Sequence, residues 1–290
     1  MLTEATQANL ERKAHWADHV QVLKDGTPLF SWLDLSITEL CNRSAGSPKA
    51  CVFCPRIDPE FYPNQKLHMS LGLACSIANQ LKALKYEGAI VLSGFGEPML
   101  HPHIVRFVEI FRGLHIEIVT NGDRLNARVI NDLYDVGLSM FVVSMYDGPH
   151  QVKHFEDMFD EASADPNAYL LRDRWYDESE DFGLKLTNRA GTIGAGHQKD
   201  VDMYARCYYP SYSMSVDWNG DVLLCVQDWN KRLRFGNLNS ITLLEAWKNK
   251  ALHKRRMELI GKGRKSPPCS ACNADGCLHG DGHAKAWLSA

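Results

Sequence analysis

Short apolar runs alternate with helix-length stretches along the first two thirds of the chain, and this alternation limits the possible folds more than any other feature. The runs are 33–37 (LDLSI), 89–92 (AIVL), 116–120 (IEIVT), 140–144 (MFVVS) and 183–187 (GLKLT). Between them lie helix-like stretches near 70–84, 104–111 and 125–134, with another after Gly148. Strands separated by helical patterns of about 10–15 residues build parallel βα units, so the expectation is an α/β fold, a partial (βα)6 barrel. Ligands of such sheets sit beyond the C-terminal ends of the strands. The acidic, irregular stretch 165–181 (DPNAYLLRDRWYDESED) reads as a loop at that mouth.

After about residue 200 the pattern changes. Two runs, 212–217 and 222–226, flank Asn219-Gly220, a pair suited to a tight hairpin turn. A single helix is expected over 242–259, followed by Gly, Pro and Pro268-Cys269. The division is therefore an N-terminal extension (1–28), a barrel domain (29–200) and a small hairpin and helix domain (201–290). With 45% hydrophobic residues in 290, the chain can bury one substantial core. A net charge of -3 provides no basic field for a nucleic-acid backbone. No signal peptide or membrane span is legible, so a cytoplasmic protein is expected.

Nine cysteines are present, and eight fall in two groups. Grouped cysteines in a reducing compartment favour metal over disulfides. Cys75, on a helix among apolar neighbours, is expected to be a buried small hydrophobe. In the first group, Cys41, Cys51 and Cys54 occupy one loop after the first strand. Three thiolates suit a cubane with one open iron, a zinc site completed by His68, or free thiols. Two further motifs follow strands in order: Ser93-Gly94-Phe95-Gly96-Glu97-Pro98 and Thr120-Asn121-Gly122.

In this order the motifs resemble the radical S-adenosylmethionine superfamily over roughly residues 30–200. That family places three cluster cysteines after the first barrel strand, with an aromatic before the last, here Phe53, and a Gly-Gly-Glu-Pro-like turn after the second. The resemblance implies a [4Fe-4S] cluster on Cys41, Cys51 and Cys54, whose open iron chelates S-adenosylmethionine. Its reductive cleavage would give a 5'-deoxyadenosyl radical. Cofactor contacts are expected from Phe53, the backbone of Gly94, Phe95, Gly96 and Glu97, then Asn121, Ser144 and Arg189. Two departures stand out: nine residues (NRSAGSPKA) separate Cys41 from Cys51 where the family has three, and Phe95 replaces the second glycine. A longer closed loop costs little extra entropy, so Cys41 can still reach the iron.

The second group is Cys207, Cys225, Cys269 and Cys272, four thiolates that suit a zinc ribbon or a fully ligated [4Fe-4S] cluster. Val216-Asp217-Trp218-Asn219-Gly220-Asp221-Val222 before Cys225, Phe235-Gly236-Asn237-Leu238, Leu244-Glu245-Ala246-Trp247 and Pro268-Cys269-Ser270-Ala271-Cys272 resemble the SPASM and twitch auxiliary-cluster domains. The resemblance implies one auxiliary cluster. Cys277 is left over, as a replacement ligand, an inert thiol or a hydrogen-atom donor. Asp228 is a candidate base or a hairpin cap. The run His253-Lys254-Arg255-Arg256 with Lys262, Arg264 and Lys265 reads as a solvated helix face, and His279 and His283 as ligands or tail.

The expected function is oxidation of a small polyhydroxylated substrate, a sugar or aminocyclitol. The radical takes a hydrogen from a carbon bearing a hydroxyl, a base takes the hydroxyl proton, and the auxiliary cluster takes the second electron. Rival readings are an epimerase of a carbohydrate or aminoglycoside using Cys277, a peptide- or protein-modifying maturase, and a non-catalytic zinc scaffold. A flavodoxin- or ferredoxin-like electron donor is the expected protein partner.

Overall fold

The structure, a computed structural model, describes residues 4–175, 187–194 and 200–290. Its frame is one sheet with strand order β5-β4-β3-β2-β1-β6-β7-β8. Strands β1 (Trp32–Leu35), β2 (Ala89–Leu92), β3 (His115–Thr120), β4 (Met140–Met145) and β5 (Tyr169–Asp173) pair in parallel, each with its sequence neighbour. The crossovers are helices α2 (Leu71–Ala83), α3 (Ile104–Ile110), α4 (Ala127–Asp135) and α5 (Gln151–Glu161). Two of them start where the sequence offers a side-chain cap: Ser70 Oγ accepts from Leu73 N–H, and Asn126 Oδ1 from Val129 N–H. Strands β1 and β2 are buried throughout, as expected of a parallel sheet covered on both faces.

The sixth parallel strand comes from the C-terminal segment. β6 (Ser213–Val216) pairs in parallel with β1 on the side opposite β2, with Trp32 opposite Ser213 and Leu35 opposite Val216. β7 (Asp221–Leu223) and β8 (Arg234–Asn237) then continue the same sheet antiparallel. The turn runs through Asn219-Gly220 as read, with Gly220 at φ +89° and its N–H bonded to Asp217 O. A buried carboxylate fastens the junction: Asp34 accepts from Ser213 Oγ (3.0 Å), Trp32 Nε1 (3.0 Å) and Ser93 Oγ (3.4 Å). The short helix α6 (Tyr209–Tyr212) leads into β6, and α9 (Asp281–Ser289) packs on α6.

Several expectations need correction. The stretch 165–181 is not all loop, because Tyr169–Asp173 is β5, beside β4. Its flanking acids masked a short apolar core, Tyr169-Leu170-Leu171. The run 183–187 read as the fifth strand lies outside the described residues except for Thr187. The single helix over 242–259 is two, α7 (Leu243–Trp247) and α8 (Lys250–Gly261). Asn249 breaks it, its side chain capping Ala251 and Leu252 N–H of the second helix. Cys75 is exposed, since α2 buries the opposite stripe of Leu73, Ala74, Ile77, Ala78 and Leu81.

The N-terminal extension forms α1 (Glu4–Ala17), which lies against β5. Arg12 pairs with the fully buried Glu117 of β3 and stands 5.3 Å from the Trp32 ring centre. The basic run also departs from a solvated face. Arg256 is wholly buried, its guanidinium 4.2 Å from the Trp247 ring and 3.9 Å from that of Trp287. Arg255 and Arg264 turn inward onto carbonyls of Ser266, Pro267 and Cys272. These arginines brace the segment that carries the last cysteines.

Candidate active site

The loop after β1 carries Cys41, Cys51 and Cys54, near enough that Cys54 perturbs both of the other thiols. Burial is the largest influence and pushes Cys41 up to about 11 and Cys51 up to about 12. Neutral thiols crowded in a half-buried loop fit a metal group, which offsets the cost of thiolate charge. Around them the loop is fixed at both ends. Asn64 accepts from Cys41 N–H (2.8 Å) and donates to Cys41 O (2.9 Å). Arg56, 2% exposed, donates to Phe95 O, to Pro63 O at 2.9 Å and to Glu39.

The turn after β2 packs directly on this loop. Gly96 has no room for a side chain, because a Cβ there would lie 2.2 Å from Thr38 O and 2.8 Å from Leu40 O. Gly94 stands at φ +105°, a conformation glycine adopts without strain. The Glu97 carboxylate faces β3, accepting from Thr120 Oγ1 (2.7 Å), Asn121 N–H (2.8 Å) and Met99 N–H (3.1 Å). Burial pushes its carboxyl up, against those three hydrogen bonds. Its side chain therefore ties two strand ends together.

Phe95 goes elsewhere. Its ring is 3% exposed and packs with Leu223 and Trp229 of the C-terminal segment, with Cys54 and Tyr62 against the same cluster. Phe95 and Trp229 meet edge to face at 5.0 Å, and Lys231 Nζ lies 4.6 Å over the Phe95 ring. The departure from glycine thus joins the two halves of the molecule. Phe53 packs against Tyr146 at 5.4 Å.

Three arginines gather around the C-terminal ends of β4 and β5. Arg172 donates to Ser144 Oγ at 2.5 Å, its Nε is buried with no partner, and burial together with Arg174 pushes its guanidinium down. Arg189, at φ +47°, faces Cys54 electrostatically. Among the described residues, Arg172, Arg174 and Arg189 form no ion pair with a carboxylate. Ser144 and Arg189 are legible in the sequence as candidates, whereas Arg172 and Arg174 lie in the stretch read as loop; two arginines flanking Asp173 are the available signal. Asn121 is occupied, donating to Asn42 Oδ1 at 2.8 Å and accepting from Asp123 N–H at 3.0 Å.

The second cysteine group converges. Cys207, Cys225, Cys269 and Cys272 line one small cavity, walled also by Ala190, Leu224, Leu259 and Ala274. Gln227 N–H points at Cys225 Sγ, 3.4 Å away, a bond that would tune a bound cluster. Gly276 seals one side, since a Cβ there would lie 2.6 Å from Cys207 Sγ. Asp228, 2% exposed, lines the same cavity: Oδ2 accepts from Arg232 and Leu233 N–H, whereas Oδ1 is buried without a partner. Burial, opposed by these bonds, pushes its carboxyl up. Cys277 does not line that cavity; its exposed thiol donates to Arg206 O at 3.2 Å. His283 is wholly buried with Nε2 3.2 Å from Leu29 O, and His68 Nδ1 meets Thr38 Oγ1 at 2.8 Å, so both are engaged away from the thiols.

Asn188 fastens its own segment to the turn after Cys269. It accepts from Asn273 N–H (3.2 Å), donates its own N–H to Asn273 Oδ1 (2.7 Å), and reaches Ala271 O (2.7 Å).

Among the described residues no three His, Cys, Asp or Glu side chains stand close enough together to hold a single metal ion. The cavity is walled by four thiols, and residues 207–273 match the SPASM family of iron-sulfur cluster-binding domains. Set against a parallel sheet with the motifs described, this match marks an iron-sulfur cluster-binding domain of SPASM type in the C-terminal part of the chain. It is 28% identical over 256 residues to the S-adenosyl-L-methionine-dependent 2-deoxy-scyllo-inosamine dehydrogenase of Niallia circulans, covering 84% of this chain and 93% of that enzyme. An uncharacterised protein of Methanocaldococcus jannaschii is 29% identical over 112 residues, 33% of this chain and 39% of the other. By fold the chain is similar to the crystal structure of BtrN in complex with AdoMet and 2-DOIA, with a TM-score of 0.69, 24% identity, and coverage of 89% of this chain and 98% of that one. A structure of anSMEcpe with bound AdoMet aligns at a TM-score of 0.52 and 14% identity, covering 89% and 95%.

Proposed function

We propose that the protein is a radical dehydrogenase that oxidises a carbon bearing a hydroxyl on a small polyhydroxylated substrate, an aminocyclitol or sugar. The observation that carries this reading is the second set of four thiols around one cavity, within a chain whose barrel loop holds three more. When bound, the first cluster with S-adenosylmethionine would supply a hydrogen-abstracting radical, and the second an acceptor for the remaining electron. Cys41, Cys51 and Cys54 would hold the first; Cys207, Cys225, Cys269 and Cys272 would hold the second.

The chain's own groups then have distinct tasks. The backbone of Gly94 and Gly96 is open to an amino group, and a carboxylate would meet the cations Arg172, Arg174 and Arg189. Phe53 and Tyr146 offer an aromatic wall beside the cysteine loop. Asp228 would hold the hydroxyl proton on its unpartnered Oδ1, a role its raised pKa suits. Val52, Ile57 and Phe61, 46%, 44% and 71% exposed in the cysteine loop, would receive a flavodoxin- or ferredoxin-like donor in the cytoplasm. Among the described residues no helix is long and apolar enough to cross a membrane.

Anaerobic reconstitution tests the reading. The expected result is a brown protein with iron and sulfide at both sites that, given reductant and an aminocyclitol, forms one ketone per 5'-deoxyadenosine. A colourless zinc protein, or 5'-deoxyadenosine without substrate oxidation across a panel of aminocyclitols and sugars, overturns it.

A further inference from the structure

The nine residues between Cys41 and Cys51 fold back on themselves. Cys51 N–H donates to Arg43 O (3.2 Å), Ala45 N–H to Arg56 O (2.9 Å) and Ala50 N–H to Ser47 O (3.1 Å). Arg43 N–H in turn points at Cys41 Sγ, 3.5 Å away. The backbone of one residue thus touches two of the three thiol-bearing positions.

The side chain of Arg43 reaches in the other direction. It is 2% exposed, and its guanidinium forks onto Asp123 (Nε 2.9 Å, Nη2 2.8 Å) and onto Asp147 (Nη1 2.6 Å, Nη2 2.8 Å). Asp123 follows β3 and Asp147 follows β4, so one cation bridges two strand ends. Asn42 adds a bond to Asp123 at 2.7 Å, and Lys49, at the far side of the insertion, reaches both carboxylates at 3.4 Å. The guanidinium also lies 5.4 Å from the Tyr146 ring centre, the ring that packs on Phe53. Only a planar fork makes four such bonds at once; a lysine ammonium at this place serves one carboxylate well and the other poorly.

We propose that Arg43 is a positioning residue, a clasp that fastens the inserted loop to the ends of β3 and β4 and so keeps Cys41 and Cys51 facing one cluster. This rests on the reading that Cys41, Cys51 and Cys54 hold a cluster. Without the clasp the inserted residues are free to swing, and the cluster loses the fixed geometry of two ligands.

The test uses the full chain, reconstituted anaerobically, and follows iron release to a chelator together with the electron paramagnetic resonance change caused by S-adenosylmethionine. The release phase missing from Cys51→Ala reports the first site. Arg43→Gln is expected to speed that phase about 10- to 100-fold and to blunt the S-adenosylmethionine-induced change. The phase from the second site stays as in the wild type. Arg43→Lys recovers part of the loss, and Arg43→Gln adds little in an Asp123→Asn, Asp147→Asn background. Hydrogen exchange over residues 45–51 gives a second readout, with protection lost in Arg43→Gln. A first-site phase unchanged by Arg43→Gln, or unchanged exchange, overturns the clasp. Iron release from Cys51→Ala identical to wild type instead overturns the cluster reading.

Discussion

Replacing Phe95 by alanine should separate two accounts of that position, one in which it is a tolerated variation in a ligand-binding turn and one in which it joins the halves of the molecule. Its ring is 3% exposed and meets Trp229 at 5.0 Å and Lys231 at 4.6 Å. Deleting a buried phenylalanine ring costs about 3–5 kcal/mol. The cluster around it is small, just Leu223, Trp229, Cys54 and Tyr62, and part of the void can be filled by Tyr62. Loss of the edge-to-face pair adds about 0.5–1.5 kcal/mol to the transfer cost, so a total near 4 kcal/mol is expected. Against a global stability of about 5–15 kcal/mol this is a large fraction. Urea unfolding of the metal-free, reduced chain would measure it, with the midpoint lowered and the slope unchanged if only packing is lost. Phe95→Gly, which restores the glycine common in related turns, should be worse than alanine by about 1 kcal/mol from added chain freedom. A loss below about 1.5 kcal/mol for Phe95→Ala, or a glycine variant as stable as wild type, would refute the joining role.

Four further outcomes follow from the geometry. Gly96→Ala forces a Cβ to within 2.2 Å of Thr38 O, so the strand-end turn must open and 5'-deoxyadenosine formation should be lost even where the protein still takes up iron. Gly276→Ala places a Cβ 2.6 Å from Cys207 Sγ and 2.3 Å from Arg264 Nη2; iron analysis should show the second site emptied and the first retained. Asp228→Asn keeps the bonds to Arg232 and Leu233 N–H but removes the carboxylate, and should lower substrate oxidation about 100- to 10,000-fold while 5'-deoxyadenosine still forms. For Asp147, hydrogen bonds from Arg43 exceed the opposing cost of burial and hold the carboxyl below its ordinary value. A depressed carboxyl stabilises the fold above its unfolded value and ceases to do so as pH falls through the folded one. Asp147→Asn should therefore cost about 1–2 kcal/mol at pH near 7, the pair being partly exposed. In urea unfolding that difference should disappear well below a pH of about 3.9.

The parallel strands and their crossover helices could be read from the sequence because each is a local apolar pattern bounded by its own caps, as with Ser70 and Asn126. The cysteines could be read because their grouping survives in one dimension. What escaped was non-local. β5 is a strand because β4 offers it an edge, and nothing within Tyr169-Leu170-Leu171-Arg172-Asp173 announces that edge. Arg255, Arg256 and Arg264 look like a solvated run until Trp247, Trp287 and the carbonyls of Ser266 and Cys272 are brought around them. Cys75 shows the same limit in reverse: apolar neighbours in sequence do not tell which stripe of α2 faces the sheet.

The nine-residue gap and the missing glycine both looked like departures from a pattern, and the structure ties both to the same requirement. A cluster loop with a long insertion needs an outside anchor, and Arg43 takes one from Asp123 and Asp147 at the ends of β3 and β4. On the other flank Phe95 anchors the turn after β2 to Trp229, four residues beyond Cys225 in the second group. Arg56 and Lys231 meet on Glu39 between these two anchors, and Lys231 continues to Asp217 at 2.6 Å. The first cysteine loop is thus held from both sides by residues that a standard short loop would not need. One of those sides belongs to the segment carrying the second cysteine group, so disturbing either anchor should alter the relation between the two cysteine groups before it unfolds either.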